Sequence, residues 1–144
     1  QQWGTRLLHL GIMGVDGMDG RVTIDAAGLP SVRFGNSPAT KQLFAGARAA
    51  AKHIFEDSIG GRVLPTWDQL RGDVLAIHPL GSCRMAAGPD LGVVDHACRV
   101  FRADGSTHDG LYVMDASTYS SPIGVNTSLT AAAIAERAMA LMLS

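Results

Sequence analysis

The sequence predicts an α+β fold, and three stretches carry that prediction. Residues 5–34 alternate short apolar runs with Asp-Gly and Gly-Leu-Pro turn signals, which is typical of antiparallel strands. Residues 39–57 repeat apolar side chains at three- and four-residue steps, as an amphipathic helix does. Residues 129–143 are almost wholly apolar and rich in the helix formers Ala, Leu and Met. We therefore expect a small antiparallel sheet combined with two helices.

The composition is that of a globular protein without a polyanionic partner. Of the 144 residues, 47% are hydrophobic and 17% are charged, and the net charge is −1. The Lys and Arg residues are scattered, so we expect no nucleic acid or anionic lipid to bind. No apolar stretch reaches the roughly 18–20 residues that a membrane span needs. Cys83 and Cys98 lack the spacing of a zinc ribbon or a redox motif, and we expect two reduced thiols.

The first element is a predicted meander of about three strands over residues 5–34. Two Asp-Gly pairs, at residues 16–17 and 19–20, stand next to an alternating run at residues 21–25. Asp-Gly between such runs indicates a hairpin, because Gly adopts positive φ at little cost. A second turn at residues 27–30 leads into the last strand. We interpret this sheet as a packing element.

The second element is the helix over residues 39–57. Ser37 is its expected N-cap, Pro38 occupies its first turn, and the pair Gly60-Gly61 lies beyond its end. His53 falls one step off the apolar stripe, so we expect a partly exposed helix residue rather than a ligand.

An irregular connection and several short strands follow. Trp67 lies in the connection over residues 62–72, and it is either a packing anchor or the aromatic wall of a pocket. The apolar run at residues 74–77 is a predicted strand that leads to His78. Further short strands are expected over residues 92–95 and 99–102, before a turn at residues 103–106.

The last third of the chain has the order strand, loop, helix. Residues 110–117 read GLYVMDAS, an apolar run that ends in an acid, and residues 121–126 form a loop rich in Gly, Pro and Ser. Ligands of α/β proteins bind at the carboxyl ends of strands, where a helix N-terminus offers free N–H groups. We therefore expect half of a cofactor site here. The helix that follows is apolar nearly all round, so we expect it to be buried on most sides, against protein beyond these residues.

Three side chains in this order are candidates for chemistry. His78 is the first polar residue after an apolar run and can take a proton near neutral pH, although a lone His is often an ordinary core or surface residue. Asn126 follows Gly124, which lets a ligand approach closely, and Asn is also a favoured N-cap. Both roles are compatible, since capping uses the amide oxygen and leaves the NH₂ group to donate. Asp115 is either a turn former or a partner of a ribose or phosphate.

Two other chemistries lack support in the sequence. The segment around Ser82 does not contain the Gly-x-Ser-x-Gly turn that exposes the nucleophile of many serine hydrolases. A metal site is not expected either, because the His and Cys residues show no recognisable ligand spacing. Those residues are His78, Cys83, His96, Cys98 and His108.

Three blocks together resemble the C-terminal portion of the glucose–methanol–choline (GMC) flavin oxidoreductases. They are residues 78–85 (HPLGSCRM), residues 110–117 (GLYVMDAS) and residues 122–137 (PIGVNTSLTAAAIAER). Their order and spacing are also similar to those of the family. The resemblance is strong over residues 73–144. In the first half it is looser, and residues 13–21 look like part of the family's substrate-domain sheet.

The resemblance implies a function and a set of site residues. Members of the family oxidise an alcohol and pass hydride to N5 of FAD, with a catalytic His paired with a second His or an Asn. By this similarity His78 is the catalytic histidine and Asn126 its partner, a pair that resembles the cholesterol-oxidase-like branch. The cofactor-binding positions implied are Asp115 and Ala116 along the FAD, and Gly124, Val125, Asn126 and Thr127 near the flavin ring.

The same resemblance implies the organisation of the chain. Residues 1–77 would be part of a substrate-binding domain, and residues 78–144 the C-terminal strands and last helix of an FAD-binding domain that is α/β in the full enzyme. No G-x-G-x-x-G follows a strand here, so we expect the nucleotide-binding part to lie in a longer chain. The expected partners are that missing part and a small-molecule alcohol. Many members have Pro at the position of Thr127, and Thr can itself cap a helix.

Two alternatives remain open at this point. The 144 residues could be a non-catalytic structural or interaction module derived from such an enzyme, without FAD of its own. The N-terminal half of the enzyme could also be a separate chain that associates with this one.

Overall fold

The computed structural model describes residue 8 and residues 10–65, 69–70 and 76–144, and within them the expected α+β fold is confirmed. Within the described residues, two α-helices of 15 residues each accompany two antiparallel sheets of two strands each. Trp67 and residues 74–75 of the predicted strand lie outside the described residues. The elements are β1 (Arg21–Ile24), β2 (Pro30–Arg33), α1 (Pro38–Lys52), β3 (Arg99–Phe101), β4 (Thr107–Tyr112) and α2 (Ser128–Met142).

The first sheet is the hairpin of β1 and β2, closed by the predicted turn at residues 27–30. Val22 pairs with Val32 and Ile24 with Pro30, so one face of the hairpin is apolar, and it is exposed. The predicted third strand is wrong for residue 8 and residues 10–20, which form no strand. Residues 5–7 and 9 lie outside the described part of the chain.

The two Asp-Gly pairs form a loop instead of a hairpin, because Asp19 bonds to the start of α1. Its carboxylate accepts from the Ser37 amide at 2.8 Å and from the Thr40 hydroxyl at 3.3 Å. Met18 between the two pairs has a φ of 51°, and its amide donates to the Asp16 carboxylate. These bonds direct the chain towards the N-terminus of α1.

Helix α1 begins as predicted and ends differently. The Ser37 side chain accepts from the Thr40 amide at 3.2 Å, which confirms the N-cap. The α-helical bonding stops at Lys52, and a π-helical turn over His53–Asp57 completes the predicted span. His53 is exposed, as expected, and its Nδ1 lies 3.4 Å from a carboxylate oxygen of Asp57.

The second sheet joins β3 to β4 with an irregular register. The predicted strand at residues 92–95 is reduced to single-residue bridges at Val94, which pairs with Met85 and with Val100. The strand predicted at residues 99–102 ends at Phe101, and β4 begins at Thr107, earlier than expected. At Ala76 and Ile77, the described end of another predicted strand, the chain is not in a strand.

Burial is concentrated in residues 94–138. The buried apolar residues of the described chain are Ala51, Val94, Ala97, Cys98, Tyr119 and Ala138. Only Ala138 of α2 is buried, and Leu129 and Leu143 at its ends are 83% and 82% exposed. Within the described residues the short elements beside α2 cover one side of it only, so its burial against protein beyond these residues stays a prediction. None of the described helices is both long enough and apolar enough to span a bilayer.

Candidate functional site

Backbone hydrogen bonds connect the first two motifs of the sequence. The segment over residues 81–85 runs beside a short 3₁₀ helix at Ala116–Thr118, and three amides of the first donate to three carbonyls of the second. Both segments advance in the same direction, so the contact resembles one edge of a parallel pairing. The bonds join Gly81 to Ala116 (3.4 Å), Cys83 to Ser117 (2.9 Å) and Met85 to Thr118 (2.8 Å).

A buried side chain connects the second motif to the third. The Tyr119 hydroxyl donates to the Thr127 carbonyl oxygen at 2.7 Å, and Tyr119 is 5% exposed. Sequence reasoning missed this residue. Its signal is a single aromatic side chain with a polar end in a Ser-rich loop, since a buried Tyr hydroxyl usually finds a partner.

His78 lies on an exposed bend three residues before Gly81. Gly81 has a φ of 78°, and a Cβ at this position would lie 3.1 Å from the Tyr119 carbonyl oxygen. A side chain is therefore disfavoured at Gly81 both by conformation and by space. This close approach holds the His78 loop against the loop that leads to α2.

Asn126 caps the first turn of α2. Its Oδ1 accepts from the Ser128 amide at 3.0 Å and from the Ser128 hydroxyl at 2.6 Å. Because the oxygen takes both bonds, the NH₂ group is the part of this exposed amide left to donate. Thr127 directly precedes α2, and its side chain makes no capping bond, so the side-chain cap comes from Asn126.

The loop before α2 presents a cluster of backbone donors. Within the described residues, the amides of residues 124–127, Leu129 and Thr130 have no acceptor. They lie at the positive end of the helix dipole, where electron-rich groups are stabilised. Gly124 has a φ of 71°, and the Val15 side chain lies 3.3 Å from where its Cβ would be. This donor set fits the electron-rich edge of a flavin ring.

Asp115 has the role of a turn former. Its Oδ1 accepts from the Ser117 hydroxyl at 2.5 Å and from the Ser117 amide at 2.8 Å. These two bonds hold the pKa of the Asp115 carboxyl below its ordinary value, and the bond from the hydroxyl has the larger effect. The other carboxylate oxygen has no partner in the described chain. Ala116 is half-buried, and its carbonyl accepts from Gly81.

The structure thus joins the three motifs through the backbone and Tyr119. No hydrogen bond joins His78 to Asn126 among the residues that the structure describes. The same part of the chain contains no group of three His, Cys, Asp or Glu side chains suited to a metal ion.

A second feature that the sequence did not reveal anchors the middle of α2. Asp95 is buried, and its carboxylate accepts from the Ala97 and Arg99 amides and from the Arg99 guanidinium. Burial raises the pKa of Asp95, but these bonds outweigh that effect and lower it overall. Arg137 of α2 donates to the His96 carbonyl in this loop.

Cys98 in the same loop is a structural thiol. It is 1% exposed, and its burial raises the pKa of the thiol. The Asp95 carboxylate also raises that pKa, and Arg137 acts in the opposite direction. A protonated, enclosed thiol of this kind is inert as a nucleophile.

Comparison with known proteins shows which family this chain resembles. Residues 16–135 match the family model described as GMC oxidoreductase. A cholesterol oxidase of Acinetobacter baumannii is 47% identical over 62 residues, which cover 43% of this chain and 10% of that protein. Cholesterol oxidases of two Mycobacterium tuberculosis strains, CDC 1551 and H37Rv, are 40% identical over 76 residues, which cover 53% of this chain and 12% of those proteins.

The matched part spans about a tenth of the length of these relatives. The family model, in contrast, extends over well more than half of the chain and includes the segments that carry His78 and Asn126. The chain therefore belongs to the GMC oxidoreductase family, and its residues correspond to the C-terminal portion of such enzymes.

Proposed function

We propose that this chain is the C-terminal part of a flavoenzyme that oxidises an alcohol by hydride transfer to FAD, with His78 and Asn126 acting on the substrate hydroxyl. The observation that carries the proposal is the connection of three motifs distant in sequence. The bonds from residues 81–85 to Ala116–Thr118, and from Tyr119 to Thr127, tie the loop of His78 to the loop of Asn126.

His78 is the proton acceptor in this proposal. Hydride leaves the carbon of an alcohol readily only when the hydroxyl proton is removed or strongly hydrogen-bonded. An imidazole can take that proton near neutral pH. The exposure of His78, on a bend next to Pro79, supports access by a substrate.

Asn126 orients the alcohol in this proposal. Its amide oxygen is held by Ser128, which determines which end of the amide group is outermost. The NH₂ group can then donate to the alcohol oxygen while His78 accepts from the same hydroxyl group. Two such contacts would fix the carbinol carbon in one orientation, which is the condition for efficient transfer.

The residues proposed to hold the cofactor are Asp115, Ala116 and the loop over residues 124–127. FAD supplies the hydride acceptor when it is bound. The unpaired amides at the start of α2 would stabilise the electron-rich edge of its ring, and the free Asp115 oxygen can accept from a ribose hydroxyl. Gly124 presents no side chain of its own to a ligand, and the Val15 side chain lies beside the position that a Cβ would take there.

Cholesterol is the first alcohol to test, because the relatives are named cholesterol oxidases. In the full-length flavoprotein that carries this chain, we expect His78→Ala to reduce kcat for the alcohol by about 10²–10⁴. Asn126→Ala should also reduce it substantially. His108→Ala is the matched control, since His108 is an exposed histidine on β4.

The flavin content of each variant distinguishes a catalytic defect from loss of the cofactor. The proposal requires that His78→Ala retain bound flavin and lose turnover, while His108→Ala keeps both. Turnover of His78→Ala within a few-fold of wild type would refute it.

A further inference from the structure

Tyr119 occupies the junction between the two halves of the candidate site. Its amide donates to the Ala116 carbonyl at 3.4 Å, and its own carbonyl faces Gly81 on the His78 side. Its hydroxyl reaches in the other direction, to the carbonyl of Thr127 next to Asn126. One buried residue thus contacts both loops.

The bond from Tyr119 is not needed to satisfy the Thr127 carbonyl. That oxygen also accepts from the Ala131 amide at 2.9 Å, the first helical bond of α2. The Tyr hydroxyl is therefore a second donor, and its main effect is geometric: it fixes the position of the first turn of α2. Asn126 directly precedes Thr127 in the chain, and the Asn126 side chain accepts from Ser128, which directly follows Thr127.

We infer that Tyr119 is a positioning residue that sets the Asn126 amide relative to the His78 loop. This inference rests on the proposed function of Asn126 and adds a residue to it. The hydroxyl acts through the backbone of Thr127, and it does not need to touch substrate or cofactor. Small errors in the placement of an orienting group reduce the rate of transfer more than they reduce binding.

The test is Tyr119→Phe in the full-length flavoprotein, because Phe keeps the ring and removes the donor. We expect kcat for the alcohol to fall about tenfold, KM to change less than about threefold, and flavin content to stay at the wild-type level. Tyr112→Phe is the matched control. Tyr112 lies on β4, and its hydroxyl has no hydrogen-bond partner among the described residues, so kcat should remain within about twofold.

A double-mutant cycle with Asn126→Ala separates positioning from general stability. If Tyr119 acts through Asn126, Tyr119→Phe has little further effect on kcat once Asn126 has been replaced. Additive losses, an unchanged kcat in Tyr119→Phe, or loss of flavin from that variant would each overturn the inference. If Asn126→Ala itself leaves kcat intact, the proposed function of Asn126 fails, which is a distinct result.

Discussion

Two loops of this chain have the same backbone hydrogen bonds and very different surroundings. The loops are residues 25–29 and residues 95–99, and each begins with an Asp whose carboxylate accepts from the amides two and four residues later. The distances are 2.8 and 2.9 Å at Asp25, and both are 2.9 Å at Asp95. In both loops, the amide of the leading Asp donates to the carbonyl of the fifth residue of the loop. The amide of the fourth residue donates to the carbonyl of the leading Asp. The first loop is exposed, and the second contains buried Asp95, Ala97 and Cys98.

Local hydrogen bonds build the turn in both loops, and burial decides how much each turn contributes to the free energy of unfolding. The fourth residue has a positive φ in both loops, 78° at Gly28 and 64° at Cys98. Gly adopts this conformation at little energetic cost, whereas for Cys the conformation is energetically unfavourable. The second loop tolerates that penalty because Cys98 is packed and because the Arg99 guanidinium adds two bonds to Asp95.

The largest expected difference is between Asp95→Ala and Asp25→Ala. Removal of Asp95 leaves the Ala97 and Arg99 amides without their acceptor in a loop where Ala97 and Cys98 are buried, so we expect the free energy of unfolding to fall by about 2–3 kcal/mol. The same change at the exposed Asp25 should cost below about 1 kcal/mol, because water replaces the carboxylate. Urea unfolding of both variants checks this, and equal losses would refute the role given to burial.

A smaller difference is expected between Val94→Ala and Val22→Ala. Val94 is 0% exposed, so the change removes two buried methyl groups and leaves a cavity, at a cost of about 2 kcal/mol. Val22 is 59% exposed on the hairpin, where the same change should cost less than about 0.5 kcal/mol. The midpoints of urea unfolding give both values. A larger loss at Val22 would mean that the apolar face of the hairpin is covered in solution.

Replacement of glycine by alanine should change the stability in opposite directions at Gly28 and at Gly46. Gly28→Ala places a Cβ at a positive φ and should destabilise the fold by about 1 kcal/mol, although nothing lies within 4 Å of that Cβ. Gly46 lies in α1, also in open space, and Gly46→Ala should stabilise by about 0.5–1 kcal/mol. Thermal unfolding midpoints that move in the same direction for both variants would contradict this.

The smallest expected effect is the dependence of the free energy of unfolding on pH that the Asp95 carboxyl causes. Because its folded-state pKa lies below the ordinary value of 3.8, the charged carboxylate stabilises the fold above that pH, and the contribution is lost as the pH falls through the lowered pKa. The gap in stability between wild type and Asp95→Asn should therefore be largest near neutral pH and shrink in acid. Urea unfolding at several pH values measures it, and a gap independent of pH would exclude this linkage.

The two loops also show what the sequence could reveal about the fold. The turn at residues 27–30 was predictable, because Gly marks a positive φ between two alternating runs. The turn at residues 95–99 was not, since Cys at the fourth position gives no such signal. The Asp-Gly pairs misled for a related reason. Their conformational freedom was predictable, but the bond that the Ser37 amide donates to Asp19, eighteen residues earlier, depends on tertiary structure.

For the candidate site, the motifs were predictable and their connection was not. His78, Asp115 and Asn126 stand at the ends of recognisable runs, and the capping role of the Asn126 oxygen follows from its residue type. The close approach of Gly81 to the Tyr119 carbonyl joins segments about forty residues apart, and the Tyr119 hydroxyl continues the connection to Thr127. No local pattern encodes such a pairing.

In the proposed reaction, His78 and Asn126 act on an alcohol at an enzyme-bound flavin. The most direct test is the rate of anaerobic flavin bleaching after the full-length protein is mixed with cholesterol, and with cholesterol carrying deuterium on the carbon that bears the hydroxyl. We expect deuterium to slow the bleaching several-fold and His78→Ala to slow it by about 10²–10⁴. Bleaching at the wild-type rate in His78→Ala would contradict it.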